Sequence, residues 1–372
     1  MRIFTISDAG ATETDILADL RLPQQGYLWI ACERAEFELQ QVQIQTALQS
    51  LCGLQLVDLH ISDLLNRQLP SHYDYTSQYD ILVFRRLAAG SRQPPERHGE
   101  SEQQVRYLPA RGGPPILRRI DTSPVGFALF DRILLTVHPT DCGVRDAYAA
   151  KLLQQPSAPP RATGAHLPSS PADLMLRVVS QMVDGYLELR RELTRQLEHW
   201  QTELLNPRTR FNNWASLLEA RLSLHYLDEI CEDQHSAMLD WIATLKSRPN
   251  AATPVGRREH DLLQVRSRDV LEHIERVVRH VQRLEHSVET TVQMHFNAQS
   301  HRANEIMRTL TVLTAIFLPL NLIAGIFGMN FEFIPFLHQS NGFWLAMGLM
   351  LTIALGLVVF FWRKRYLQRS AR

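Results

Sequence analysis

N-E-I-M-R-T-L-T-V-L-T-A-I-F-L-P-L-N-L-I-A-G-I-F-G-M-N-F-E-F, residues 304–333, decides the architecture of this chain. From 310 to 327 the stretch runs 18 residues without a charge, and a second uncharged run of 20 follows at 343–362. At 1.5 Å per residue these helices would reach roughly 27 Å and 30 Å, close to the ~30 Å hydrocarbon core of a bilayer. Two transmembrane helices near the C-terminus are predicted. Arg302 and Arg308 precede the first span, and Arg363, Lys364, Arg365 and Arg369 follow the second. The connecting loop, 328–342, holds no Lys or Arg. Basic residues stay on the cytoplasmic side, so both termini are predicted to face the cytoplasm and the loop to face out. The expected location is the cell inner (plasma) membrane, as a multi-pass protein.

The rest of the composition excludes more than it assigns. Lys+Arg and Asp+Glu both number 39 among 372 residues, so net charge argues for neither nucleic acid nor an acidic partner. Cys32, Cys52, Cys142 and Cys231 lie far apart with no C-x-x-C spacing, which reads as reduced cytosolic thiols. The first ten residues lack an apolar run of signal-peptide length. His138 and Asp141-Cys142 have no third partner at recognisable spacing, and nothing resembles a phosphate loop. The reading is not an enzyme, with no cofactor.

The soluble part divides at its breakers. Residues 1–153 read as a cytoplasmic α/β domain, in detail an α+β fold with a mixed sheet. Strands are predicted at 80–87, 104–108 and 127–137, and helices at 40–51 and through D-L-L-N-R-Q-L (63–69). The stretches 91–102 and 111–115 read as exposed loops. Residues 154–171 are a Pro/Ser-rich linker, 172–256 a cytoplasmic helical hairpin, and 257–327 a stalk helix continuing into transmembrane helix 1. An external loop at 328–342, transmembrane helix 2 at 343–362 and a basic cytoplasmic tail at 363–372 complete the order. Val270, Ile274, Val277, Val281, Leu284 and Val288 alternate spacings of 4 and 3. That is a single apolar seam of coiled-coil type, and a long stalk bearing one seam requires neighbours.

The first span carries its polar groups on one stripe. Asn304, Met307, Thr311, Thr314, Leu318, Asn321, Gly325 and Gly328 follow spacings of 3, 4, 3, 4, 3, 4, 3. Polar side chains within a membrane face protein or water rather than lipid; gluing helices together would also use such residues. Two helices cannot enclose a pore, so a pore requires a ring of copies. Its wall would then present amides, hydroxyls and thioethers but no carboxylate, with apolar narrow points at Met307 and Leu318 that close by dewetting. Mg²⁺ prefers oxygen ligands and sheds water reluctantly, and amide and carbonyl oxygens can accept hydrogen bonds from its retained waters. Zn²⁺ prefers His, Cys or carboxylate, and neither span contains His or Cys.

Residues 304–333 also resemble the CorA-type divalent-cation transporters, from the first transmembrane helix through the G-M-N signature, Gly328, Met329 and Asn330. The resemblance is specific over about 60 residues and a matter of layout elsewhere. It implies a CorA-like homopentameric ring with an α/β cytoplasmic domain, long stalk helices and an axial pore. It implies Asn330 as the selectivity residue, meeting the hydrated ion through its water shell. Asn304, Met307, Leu310, Leu318 and Asn321 match the family's pore-lining positions, with Met307, Leu310 and Leu318 as the gate. The family's loop glutamate is replaced by Phe336, leaving Glu332 as the acid at the outer mouth. Gln293 and His295 stand near where the magnesium branch carries a sensing acid.

The expected function is influx of hydrated divalent cations, chiefly Mg²⁺, with Co²⁺ and Ni²⁺ as further ions. Zn²⁺ transport on the same fold is the near alternative, and a membrane-anchored sensor or scaffold without transport is the distant one. His260, His273, His280, His286, His295 and His301 on the stalk are expected on solvated surface, a cytoplasmic zinc role being their other reading. His338 reads as a plain loop residue. Gly325 and Gly328 could simply permit close packing and a helix cap, and R-K-R (363–365) a membrane-interface anchor.

Overall fold

Seven strands form one mixed sheet: β1 (Arg2–Ser7), β2 (Gly10–Thr14), β3 (Tyr27–Glu33), β4 (His72–Tyr75), β5 (Asp80–Leu87), β6 (Thr122–Leu129) and β7 (Ile133–His138). They lie in the order β2-β1-β3-β7-β6-β5-β4. Among the described residues only β3 and β7 pair in parallel, from Leu28 opposite Ile133 to Glu33 opposite His138. This computed structural model describes the chain except for residues 8–9, 18–19, 88–119, 141, 155–166, 206–213, 249–252, 330–341 and 365–372.

The central strand β3 reads Y-L-W-I-A-C-E with its first six residues buried. An unbroken apolar strand needs cover on both faces of its sheet, and helices supply it. Alternate residues divide between two cores because strand side chains alternate sides. Leu28, Ile30 and Cys32 pack with Ile44 and Leu48 of α2 (Gln41–Cys52), Phe37 of α1 (Arg34–Leu39) and Leu64 of α3 (Asp58–Leu65). Trp29 and Ala31 pack on the other side with Leu152 of α4 (Gly143–Gln154), Val179 of α5 (Pro171–Leu205) and Trp241 of α6 (Trp214–Ser247). Val270 and Ile274 of α7 (Pro254–Phe327) join that second core. Gly26 opens β3 at φ 103°, where a Cβ would fall 2.0 Å from the Ile6 carbonyl oxygen; only glycine fits there.

The predicted strand at 80–87 is β5, and the helix predicted at 40–51 is α2 shifted by one residue. The stretch 127–137 is corrected from one strand to two. β6 ends at Leu129, and Phe130 N–H bonds the Ile133 carbonyl at 2.9 Å to close a turn. Phe130 is buried despite lying in that turn, so its apolarity hid the break. The helix predicted through 63–69 ends at Leu65. There the Asn66 side chain accepts the Gln68 N–H at 2.9 Å, the local bond by which Asn favours turns over helix. The predicted strand at 104–108 and the loops at 91–102 and 111–115 lie outside the described residues.

The seam of α7 is buried at every position from Val270 to Val288, and its cover belongs to the same chain. His280 Nε2 lies 2.8 Å from Thr194 Oγ1, and Gln201 donates to Ser287 Oγ, both joining α5 to α7. Arg221 and His235 of α6 pair with Glu289 and Glu275. Arg266 on α7 reaches the fully buried Asp173 of α5 at 2.7 Å, and Arg177 reaches the same carboxylate at 3.1 Å. The neighbours that the seam requires are therefore α5 and α6, so the seam itself demands no second copy.

Residues Met1–Glu289 and Thr290–Arg372 are two compact units. The second holds the rest of α7 and α8 (Gly342–Arg363). Both helices contain windows long and apolar enough to cross a membrane.

Candidate functional site

The uncharged stripe lies on one side of the C-terminal part of α7, and that side is uncovered. Asn304, Met307, Leu310, Thr311, Thr314, Leu318, Asn321, Gly325, Gly328 and Met329 are all exposed. Met307, Leu310 and Leu318 keep 63%, 58% and 71% of their surface, high values for apolar residues of one helix. On the more covered side of the same segment Val312 is buried and Ala315, Ile316, Pro319, Leu320, Ile323 and Phe327 are half-buried. At 3.6 residues per turn, the centres of these two stripes stand roughly 180° apart around the helix. On α8 Ala346 is buried and Met350, Ile353, Ala354, Leu357 and Phe361 are half-buried, again one stripe at helical spacing.

Leading into the span, α7 is exposed to solvent. All sixteen residues 296–311 are exposed, including Phe296, Ile306 and Met307. A single helix exposed all round, apolar residues included, is not an end state in water. This segment, rather than the seam above it in sequence, is what asks for further copies of the chain.

The polar groups of the stripe fall into two kinds. Thr311 Oγ1 donates to the Met307 carbonyl at 2.8 Å, and Thr314 Oγ1 to the Leu310 carbonyl at 2.9 Å. Each hydroxyl proton is thus spent within the helix, as threonines in helices commonly spend it. Asn304 and Asn321 are exposed and no hydrogen bond engages their amides among the described residues. Pro319, inside α7, removes the donor that the Ala315 carbonyl would otherwise accept.

The helix stops at the signature. Gly328 N–H bonds the Ala324 carbonyl at 2.9 Å and Met329 N–H the Ile326 carbonyl at 3.3 Å, closing the last turn. Gly328 therefore takes part in the helix end, as its reading as a cap anticipates. A Cβ on Gly325 would meet nothing within 4 Å, so no close packing among the described residues calls for glycine there. Asn330 and Glu332, with Phe336 and His338, lie outside the described residues. At the far end of α8, Lys364 Nζ sits 5.3 Å from the Phe360 ring centroid, a cationic tip over an apolar side chain.

The stalk histidines are less solvated than expected. His286 and His301 are exposed, while His260, His273 and His280 are half-buried. His295 is buried, and its Nε2 lies 2.9 Å from Gln299 Nε2. Burial pushes the His280 imidazole below its ordinary pKa, with Arg190 and Arg283 adding to it. Among the described residues no three His, Cys, Asp or Glu side chains gather as a metal site.

The thiol of Cys142 lies with its Sγ 3.5 Å from His138 Nδ1. Burial, helped by Arg145, Arg86 and Arg34, lowers the His138 pKa to about 3. Burial raises that of the Cys142 thiol. The pair is uncharged at neutral pH, the opposite of an activated thiolate.

Sequence reasoning found the stripe from its spacing. It did not find the direction of the threonine protons, for which the signal was available: a threonine within a helix, four residues after a carbonyl. It also missed the bare segment 296–311, because periodicity marks an apolar face without naming its cover.

Comparison with known proteins places these features. The profile of the CorA-like Mg²⁺ transporter protein family matches residues 25–365. The sequence is 36% identical over 100 residues to the cobalt/magnesium transport protein CorA of Thermotoga maritima, covering 27% of this chain and 28% of that protein. It is 36% identical over 101 residues to the magnesium transport protein CorA of Haemophilus influenzae, covering 27% and 32%. These alignments thus span under a third of the curated relatives' length. The complete structure of the CorA magnesium transporter from Methanocaldococcus jannaschii superposes with a TM-score of 0.65 at 18% identity, covering 98% of both chains. The full-length CmaX protein gives 0.59 at 18% identity, covering 98% and 97%. An α+β domain, a long helix that continues into an apolar span and a second apolar helix are shared with a whole CorA subunit, and the chain belongs to the CorA-like Mg²⁺ transporter family.

Proposed function

We propose that this protein is one subunit of a homopentameric, channel-like transporter that admits hydrated divalent cations through the inner (plasma) membrane. Mg²⁺ is the main ion, with Co²⁺ and Ni²⁺ as further ions. The observation that carries the reading is the uncharged, uncovered stripe of α7 roughly opposite its covered face. A ring of copies would turn that stripe to a common axis, leave the more covered faces outside it, and bury part of the exposed segment 296–311. The printed names of the relatives, cobalt/magnesium and magnesium transport proteins, support the ion class.

Each residue then has a task. Asn330, with Gly328 and Met329, receives the hydrated ion at the outer rim, and Glu332 adds attraction. Met307, Leu310 and Leu318 narrow the path with apolar side chains that gate by dewetting. Thr314 offers an oxygen between the layers of Leu310 and Leu318, and Asn304, Asn321 and the Gly325 backbone offer oxygens on either side of the apolar layers. With both termini in the cytoplasm, the membrane potential drives influx at ~2.3 kcal/mol per charge per 100 mV.

Mg²⁺ uptake in cells lacking their own transporters tests the reading, comparing wild type with Asn330→Ala. Wild type restores uptake and the variant loses most of it; full uptake by the variant overturns the role of Asn330. Liposome flux with Mg²⁺ and Zn²⁺, with and without a pH gradient, separates magnesium from zinc transport. Absence of any flux returns the hairpin to a membrane anchor.

A further inference from the structure

Two polar side chains stand between the apolar layers of Leu310 and Leu318: Thr311, one residue from Leu310, and, midway between the layers, Thr314. Thr314 is four residues from each, so roughly 6 Å from each along the helix axis. At about 100° per residue, it also lies between them in direction around the helix. Its hydroxyl proton is committed to the Leu310 carbonyl at 2.9 Å while the side chain stays exposed. A hydroxyl has one proton and two lone pairs. With the proton held inside the helix, Thr314 presents acceptors and no donor to whatever lies on the stripe.

That polarity has a chemical match. Waters held by a cation turn their oxygens to the ion and their hydrogens outward. Mg²⁺ keeps several such waters, and a ring of acceptors without donors receives them. Leucine layers above and below offer the shell nothing. The nearest uncommitted amide on the outer side, Asn321, is roughly 10 Å further along the helix.

We infer that Thr314 forms an acceptor-only station at which a hydrated divalent cation pauses inside the apolar constriction; this deepens, and rests on, the transport reading above. The station makes Thr314 a residue that sets the rate through the constriction, a layer apart from the outer Asn330 rim.

Mg²⁺ flux into liposomes carrying the full-length oligomer tests it, with Thr314→Val, Thr314→Ala and Thr314→Ser beside wild type. Thr352→Val is the control, since Thr352 on α8 bonds the Gly348 carbonyl at 2.7 Å in the same manner. Gel-filtration elution confirms assembly of each variant. Valine, of equal size, slows flux about tenfold, equal to about 1.4 kcal/mol, and alanine slows it similarly. Serine stays within about twofold, because it keeps both the hydroxyl and the carbonyl four residues back. Thr352→Val matches wild type. Wild-type flux in Thr314→Val overturns the station, as does faster flux in Thr314→Ala, which would make width rather than the hydroxyl decisive. A wild-type oligomer that conducts nothing overturns the transport reading instead.

Discussion

The indole N–H of Trp241 donates to Ser267 Oγ at 2.9 Å, and Ser267 passes its own proton to the Leu263 carbonyl at 2.7 Å. Both side chains are almost wholly buried. This relay fastens α6 to α7 at the level where the stalk helix joins the sheet-bearing core. Ser267→Ala leaves a buried indole N–H without its acceptor, which costs about 1–3 kcal/mol. The purified variant is expected to melt several degrees below wild type by scanning calorimetry.

A second fastening is ionic. The carboxylate of Asp173 receives Arg177 from its own helix and Arg266 from α7, with no exposed surface of its own. Removing the charge takes from two part-exposed guanidinium groups the buried carboxylate they share; breaking a buried pair costs about 3–5 kcal/mol, and the exposure of the arginines brings this toward the lower end. Asp173→Asn is expected to lower the melting temperature more than Ser267→Ala does. Replacing Asp173, Arg177 and Arg266 together by apolar residues of similar volume is expected to recover part of the loss.

These packing relations mark where the sequence stopped being legible. β5 could be read directly from Ile81–Phe84, an apolar run buried on both faces, even though Asp80, Arg85 and Arg86 of the same strand are charged. The edge strands β2 (G-A-T-E-T) and β4 (H-Y-D-Y) could not, being short, largely polar and held by pairing with β1 and β5. The valines and isoleucine from 270 to 288 announced a buried face, but a period carries no information about the partner. That partner turned out to be α5 and α6. On the span, spacing exposed the stripe, since every polar side chain there recurs at intervals of 3 and 4. The opposition of that stripe to a covered face depended on where the rest of the second unit packs, which no spacing encodes.

Acid should destabilise the first unit through His138. Its imidazole is fully buried in β7, touching Thr136 Oγ1 at 2.6 Å, and its folded pKa is about 3 against an ordinary 6.5. Above pH 6.5 both folded and unfolded states hold it neutral, and its contribution is constant. Below pH 6.5 the unfolded chain binds a proton that the folded chain refuses. Stability therefore falls by up to about 1.4 kcal/mol per pH unit until the folded group titrates near 3. Melting temperatures measured from pH 7.5 to 5 are expected to drop more steeply for wild type than for His138→Gln. Equal slopes would show that other groups dominate the acid limb.

The sides of α7 can be told apart by chemistry in the membrane. Cys32, Cys142 and Cys231 are buried and Cys52 half-buried, so a background with Cys52→Ser should be silent to a charged, water-soluble thiol reagent. Into it go single cysteines on the stripe, at Met307, Leu318 and Asn321, and on the covered side, at Val312, Ile316 and Ile323. The stripe positions are expected to react, because water must reach a pore wall for an ion to pass. The covered positions are expected to stay unmodified. Mg²⁺ flux through the stripe variants should fall as the reagent adds bulk, most strongly at Leu318, where the wall is apolar and narrow. If both sets react alike, α7 is not the wall of a closed ring. If neither reacts while flux continues, the ion passes along another surface.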